Sequence, residues 1–188
     1  MKKKVILVFC IFVIIFTATI LLQNQRTTYV LSPDMSLALF GTEPEEFFLV
    51  DREVYNNCED LRKCAEIDET GNLILRLTKE QEKAILSYYD SDLKSFDALS
   101  SVELFDGYAG LKITGDKESI SHVIANEFRL LTIDDMAFRQ MFNGTDPKDI
   151  SVTVIVVESG SNSVLYEATW PQEDIVLSPK SWNFTSNQ

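Results

Sequence analysis

The sequence predicts an α+β protein: an N-terminal transmembrane helix, then one domain with a largely antiparallel sheet and two main helices packed on one face. Three observations lead there. Val5 to Leu22 carry no charge behind Lys2, Lys3 and Lys4. Beyond them, patterns of period two and period 3.6 alternate in the order strands, helix, hairpin, helix, hairpin, which suits an α+β layer arrangement. The run "ISVTVIVVES" from Ile150 is the most β-branched in the chain, and a strand apolar on both faces is normally central and covered. The expected organisation is cytoplasmic lysines and anchor over 1–25, an acidic extracytoplasmic domain over 26–177 and a frayed tail over 178–188.

As a helix, Val5 to Leu22 rises about 27 Å, close to the roughly 30 Å hydrocarbon thickness of a bilayer. Thr17 and Thr19 can return their hydroxyls to the preceding turn. The lysine flank keeps the N-terminus cytoplasmic, so a single-pass chain holds its C-terminal domain outside. The alternative is secretion after signal cleavage. That needs a shorter apolar core and a small-residue site, for which Thr17-Ala18-Thr19 is the nearest candidate. Cys10 follows Phe9 inside the apolar run, unlike a lipoprotein cysteine.

Along the domain, "YVLS" begins a strand that Pro33 ends, and "FFLV" at 47–50 reads as a buried strand. "CEDLRKC" places Cys58 and Cys64 together beyond the anchor, where a disulfide persists. A straight helix would separate their Cα atoms by about 9 Å of rise, so the bridge requires a looped segment. Glu69 to Asn72 is a turn signal, and Leu73, Leu75 and Leu77 then alternate with Ile74, Arg76 and Thr78 as a strand with one buried face. Thr78 is placed as a helix N-cap, with Ile85, Tyr89, Leu93 and Phe96 on the apolar stripe. Asp106-Gly107 turns a hairpin. Asp116 caps a second helix carrying Ile120, Val123, Ile124, Phe128 and Leu131. Thr132 and Asp135 have capping-box spacing, where that helix is expected to restart and run to a stop at Asn143-Gly144. In the last hairpin Ile155 is expected on the covered face, and Glu167 on the polar face of the following strand.

The chain has 17 basic and 29 acidic residues, and three of the basic ones precede the anchor. So acidic a domain is repelled by phosphate backbones, which excludes nucleic acid as a partner. The partners expected are membrane lipid, through the N-terminal helix, and a protein. No cofactor is called for. A zinc site built only from Cys and His is impossible with two thiols and one histidine beyond the anchor.

No catalytic residue stands out. His122 shares a helix face with Glu118, Asn126 and Arg129, toward solvent. No G-x-S-x-G accompanies it. Acidic pairs at Asp90 and Asp92, and at Asp134 and Asp135, are the surface candidates. Carboxylates about 5–10 Å apart across a sugar could hydrolyse a glycoside. "DSDLKSFD" lacks the central glycine of a calcium loop. "NGT" at 143–145 and "NFT" at 183–185 match glycosylation sequons. These features favour a membrane-anchored binding or scaffolding module. A membrane-tethered, glycosidase-like hydrolase using carboxylates is the alternative. An atypical pilin-like subunit is a further one, although the apolar run lacks the glutamate and preceding glycine expected there.

Overall fold

A computed structural model describes residues 25–48, 61–87, 101–124 and 130–184. The expected anchor, Cys58, Asp90, Asp92 and the far half of the helix after Thr78 lie outside these residues. Among the described residues no helix is long and apolar enough to cross a membrane.

The chain has mixed helix and strand content, with the strands in two sheets. The first sheet is antiparallel, in the order β1 (Arg26–Leu31), β3 (Leu73–Thr78), β2 (Ala65–Ile67). The second runs β4 (Val102–Phe105), β5 (Gly110–Gly115), β6 (Val152–Glu158), β7 (Val164–Trp170). In it β5 and β6 are parallel and the other pairs antiparallel. A parallel pair needs a long crossover. Here the crossover contains helices α4 (Lys117–His122) and α5 (Leu130–Phe142).

Alternation and capping account for most elements. Leu73, Leu75 and Leu77 are fully buried and their neighbours half-buried, so β3 presents one face to a core. Thr78 opens α3 (residues 79–87) with a reciprocal capping box. Gln81 N donates to Thr78 Oγ1 (3.3 Å) and Thr78 N donates to Gln81 Oε1 (2.9 Å). Asp116 Oδ1 accepts from Ser119 N at 2.8 Å and starts α4. In the turn before β3, Asp68 accepts from the amides of Thr70 and Asn72 and from the Thr70 hydroxyl, which lowers its carboxyl to about 2. The support this carboxylate gives the turn is therefore complete above the unfolded value of 3.8 and is lost as pH falls through about 2. The Thr70 amide resonance should titrate with that lower midpoint.

Several expectations are corrected. Pro33 does not merely end β1; it is the first residue of α1 (Pro33–Phe40), capped by Ser32 Oγ and closed by left-handed Gly41. Phe47 belongs to a short helix, α2 (Pro44–Phe47), and not to a strand; residues 49–50 of "FFLV" lie outside the described set. α5 runs through Thr132 and Asp135 without a restart, with both residues buried in its body. Ile155 is only half-buried. The covered face of β6 is Val152, Val154 and Val156, and Ile155 lies on the other face, between Lys112 and Glu167. Beyond the last strand, Trp182 and Phe184 pack on the second core, with Trp182 stacked on Tyr166 at 5.6 Å.

Two cores result, and α5 serves both. Ala137, Phe138 and Met141 join the cluster under the first sheet, while Ile133 and Met136 join the one under the second. Gln140 ties the helix to the second sheet: its amide donates to Tyr108 O (2.9 Å) and Ser151 O (2.8 Å). On the outer face of the second sheet, the Phe105 ring covers Gly110 and occupies the space a Cβ there would need. Gly110→Ala should therefore cost about 1–3 kcal/mol by displacing the ring. The cost should shrink in a Phe105→Ala background, as a double-mutant melting cycle would measure.

Candidate functional site

The site is a groove between α1 and the segment that follows β7. The sequence "SPDMSLALFG" makes α1 a short helix that is largely apolar on both its buried and its outward face. Met35, Leu39 and Phe40 enter the first core, while Asp34 and Leu37 face outward, Leu37 with 47 % of its surface exposed. The opposite wall begins at the cis Trp170–Pro171 bond. Side chains pin this wall. Thr169 N donates to Glu173 Oε2, and Glu173 N donates back to Thr169 O, each at 2.9 Å. Val176 N donates to the Tyr166 hydroxyl at 2.9 Å, and Tyr166 is itself held by its stack on Trp182. Both walls are thus held by local bonding, α1 through its caps and the segment after β7 through Thr169, Glu173 and Tyr166.

Between the walls lie two adjoining cavities of about 310 and 680 Å³, which share Ala38, Trp170 and Asp174. Trp170 packs against both cores and lines both cavities, so it stands where the two halves of the fold meet the groove. Ile133 and Asp134, near the start of α5, close the smaller cavity; Asp34 and Lys148 edge the larger. Lys148 is paired with Asp146 at 3.3 Å. Asp34 and Asp174 are exposed and have no ion-pair partner among the described residues.

The candidates from sequence are distributed unevenly around this groove. Asp134 lines it. Asp135 does not: it is fully buried, and Arg139 Nε donates to both its carboxylate oxygens at 3.0 and 3.1 Å. The Arg139 guanidinium also lies over the Tyr108 ring, 5.3 Å from its centroid. Asp90 and Asp92 are outside the described residues. Of the pair expected to form a disulfide, Cys58 is likewise outside. Cys64, at the end of a 3₁₀ turn (Leu61–Cys64), is buried and forms no disulfide among the described residues. Its Sγ accepts from Gln81 Nε2 at 3.0 Å, with Arg26 Nη1 at 3.9 Å. His122 is exposed. No group of three or more His, Cys, Asp or Glu among the described residues is arranged to hold a metal ion.

A second buried polar cluster lies in the first core. The Tyr29 hydroxyl donates to Glu82 Oε1 at 2.7 Å, and Lys79 reaches the other oxygen at 2.6 Å. Burial, and then the Glu82 carboxylate, push the Tyr29 hydroxyl above its ordinary range. The cluster joins β1 to α3, and Tyr29 also lines a shallow cavity of about 380 Å³ together with Met141 and Gly144.

Sequence reasoning missed Asp34, Leu37, Trp170 and Asp174. A signal for the first two was present: Ser32 as N-cap, Pro33 at N1, Asp34 in the first turn and Gly41 as C-cap. None marked Trp170, because its role depends on which elements pack beside it. Compared with known proteins, the chain matches no family model, no curated protein and no solved structure.

Proposed function

We propose that the chain is a membrane-anchored, extracytoplasmic binding module whose recognition surface is the groove between α1 and residues 170–176. The observation that carries this reading is the pair of adjoining cavities, open to solvent, around a tryptophan that both cores hold in place. A hydrolase using carboxylates is less well supported. A general-acid carboxyl is normally kept protonated by burial or a like charge. Asp34 and Asp174 are exposed to water, and buried Asp135 is engaged by Arg139.

Placing a photocrosslinking amino acid at Leu37, in the full chain in its native membrane, tests the reading. A discrete adduct is expected there and not from the same group at exposed Lys83 on α3. Identical patterns at both positions, or none at either, would contradict it. The anchor is tested separately: Ile14→Arg should impair insertion by about 3 kcal/mol on translocon scales, releasing protein from the membrane fraction. A native soluble form starting near Ile20 would overturn retention.

A further inference from the structure

We infer that the groove takes a lysine- or arginine-bearing segment of a partner protein; this rests on the binding reading above and names the occupant. Charge complementarity is the first argument. Three carboxylates, from Asp34, Asp134 and Asp174, border the cavities against one lysine, and Lys148 is engaged by Asp146. Among the described residues lining the cavities, Asp34 and Asp174 offer an entering cation carboxylates without an ion-pair partner, and the one lysine is already engaged. The second argument is the floor. Trp170 is half-buried, which offers an indole to a guanidinium or ammonium group.

Size and polarity choose a peptide over a small amine. The two cavities adjoin along α1, and Leu37, Ala38, Pro171 and Ile175 supply apolar surface between the carboxylates. An amine alone would leave that surface wet, whereas a peptide covers it with the stems of its basic side chains and with apolar neighbours. The chain's formal charge of −12 adds long-range attraction for a basic segment. The same charge repels anionic lipid and nucleic acid, so neither is a competing occupant.

The test uses the full chain in non-ionic detergent with Trp182→Phe, which preserves the stack on Tyr166 and leaves Trp170 as the sole tryptophan. An alternating Lys-Ala octapeptide, its Glu-Ala counterpart and spermine are titrated while Trp170 emission is followed. The Lys-Ala peptide should give a saturable change that weakens about tenfold in Asp34→Asn/Asp174→Asn and declines with added salt. The Glu-Ala peptide should give none. Ala38→Arg, which places a fixed cation in the groove, should abolish the response without lowering the melting temperature. Spermine binding as tightly as the peptide would overturn the peptide assignment. Equal responses to both peptides, unchanged in the asparagine variant, would overturn the cationic assignment and leave the groove as a binding site. Silence from all three probes would overturn the groove reading together with its occupant.

Discussion

Phe138→Ala is expected to lower the stability of the domain by about 3–5 kcal/mol, the range for removing a buried aromatic ring. Phe138 is 1 % exposed, on the face of α5 toward the first core. Its ring stacks on Phe142 at 5.7 Å and meets Phe40 at 5.8 Å. Phe40 in turn meets Phe47 at 5.0 Å, and Phe142 meets Tyr29 at 5.5 Å. A chain of rings through Phe138 therefore links α5 to α1 and, by way of Phe40 and Phe142, to α2 and β1. With its two neighbouring rings, Phe40 and Phe142, held by their own backbones, the gap should close poorly, so the cost should fall in the upper part of the range. Because α1 loses part of its seat, the groove should loosen as well. Urea unfolding gives the first effect and the rate of amide exchange over 33–40 the second. Leu37→Ala, at an exposed position on the same helix, should change stability by less than about 0.5 kcal/mol.

Asp135→Leu should be comparably damaging, by about 3–5 kcal/mol, for an electrostatic reason. The Asp135 side chain is fully buried, and that of Arg139 is 16 % exposed. Removing the carboxylate leaves a guanidinium largely out of water without the two oxygens that share its Nε–H, and breaking such a pair costs more than replacing it. The double variant Asp135→Leu/Arg139→Met should recover a large part of the loss, since the methionine can pack against the Tyr108 ring that now faces the guanidinium. A full double-mutant cycle by chemical denaturation measures the coupling. If the double variant were as unstable as the single one, volume rather than charge would be the cause.

Local rules were legible where local physics decides. The period of two in Leu73, Leu75 and Leu77, the caps at Thr78 and Asp116 and the turn at Asp106-Gly107 each depend on neighbours within a few residues, and each was readable. The misreadings share another cause. Thr132 and Asp135 have the spacing of a capping box, yet the same spacing fits a helix interior. Burial of both, with Asp135 facing Arg139, decides between the two. Thr132 Oγ1 is left buried without a hydrogen-bond partner among the described residues, which is the visible cost of that choice. Ile155 and Val154 are equally apolar, and only the position of α4 and α5 determines which of them is covered. The separation of the strands into two sheets, with α5 between the cores, is likewise a property of packing. So is the groove: Asp134 was a candidate by composition, but Trp170 and Asp174 become part of a site only when the segment after β7 comes to rest against α1.

Occupation of the groove in its own setting is the claim on which the rest depends. Hydrogen–deuterium exchange on the full chain, compared between native membranes and the purified protein, reads it directly. Slower exchange in native membranes over 33–41 and 170–176, with β3 at 73–78 unchanged, is the expected result. Equal rates over those two segments in both preparations, or a uniform change across the whole domain, would contradict it.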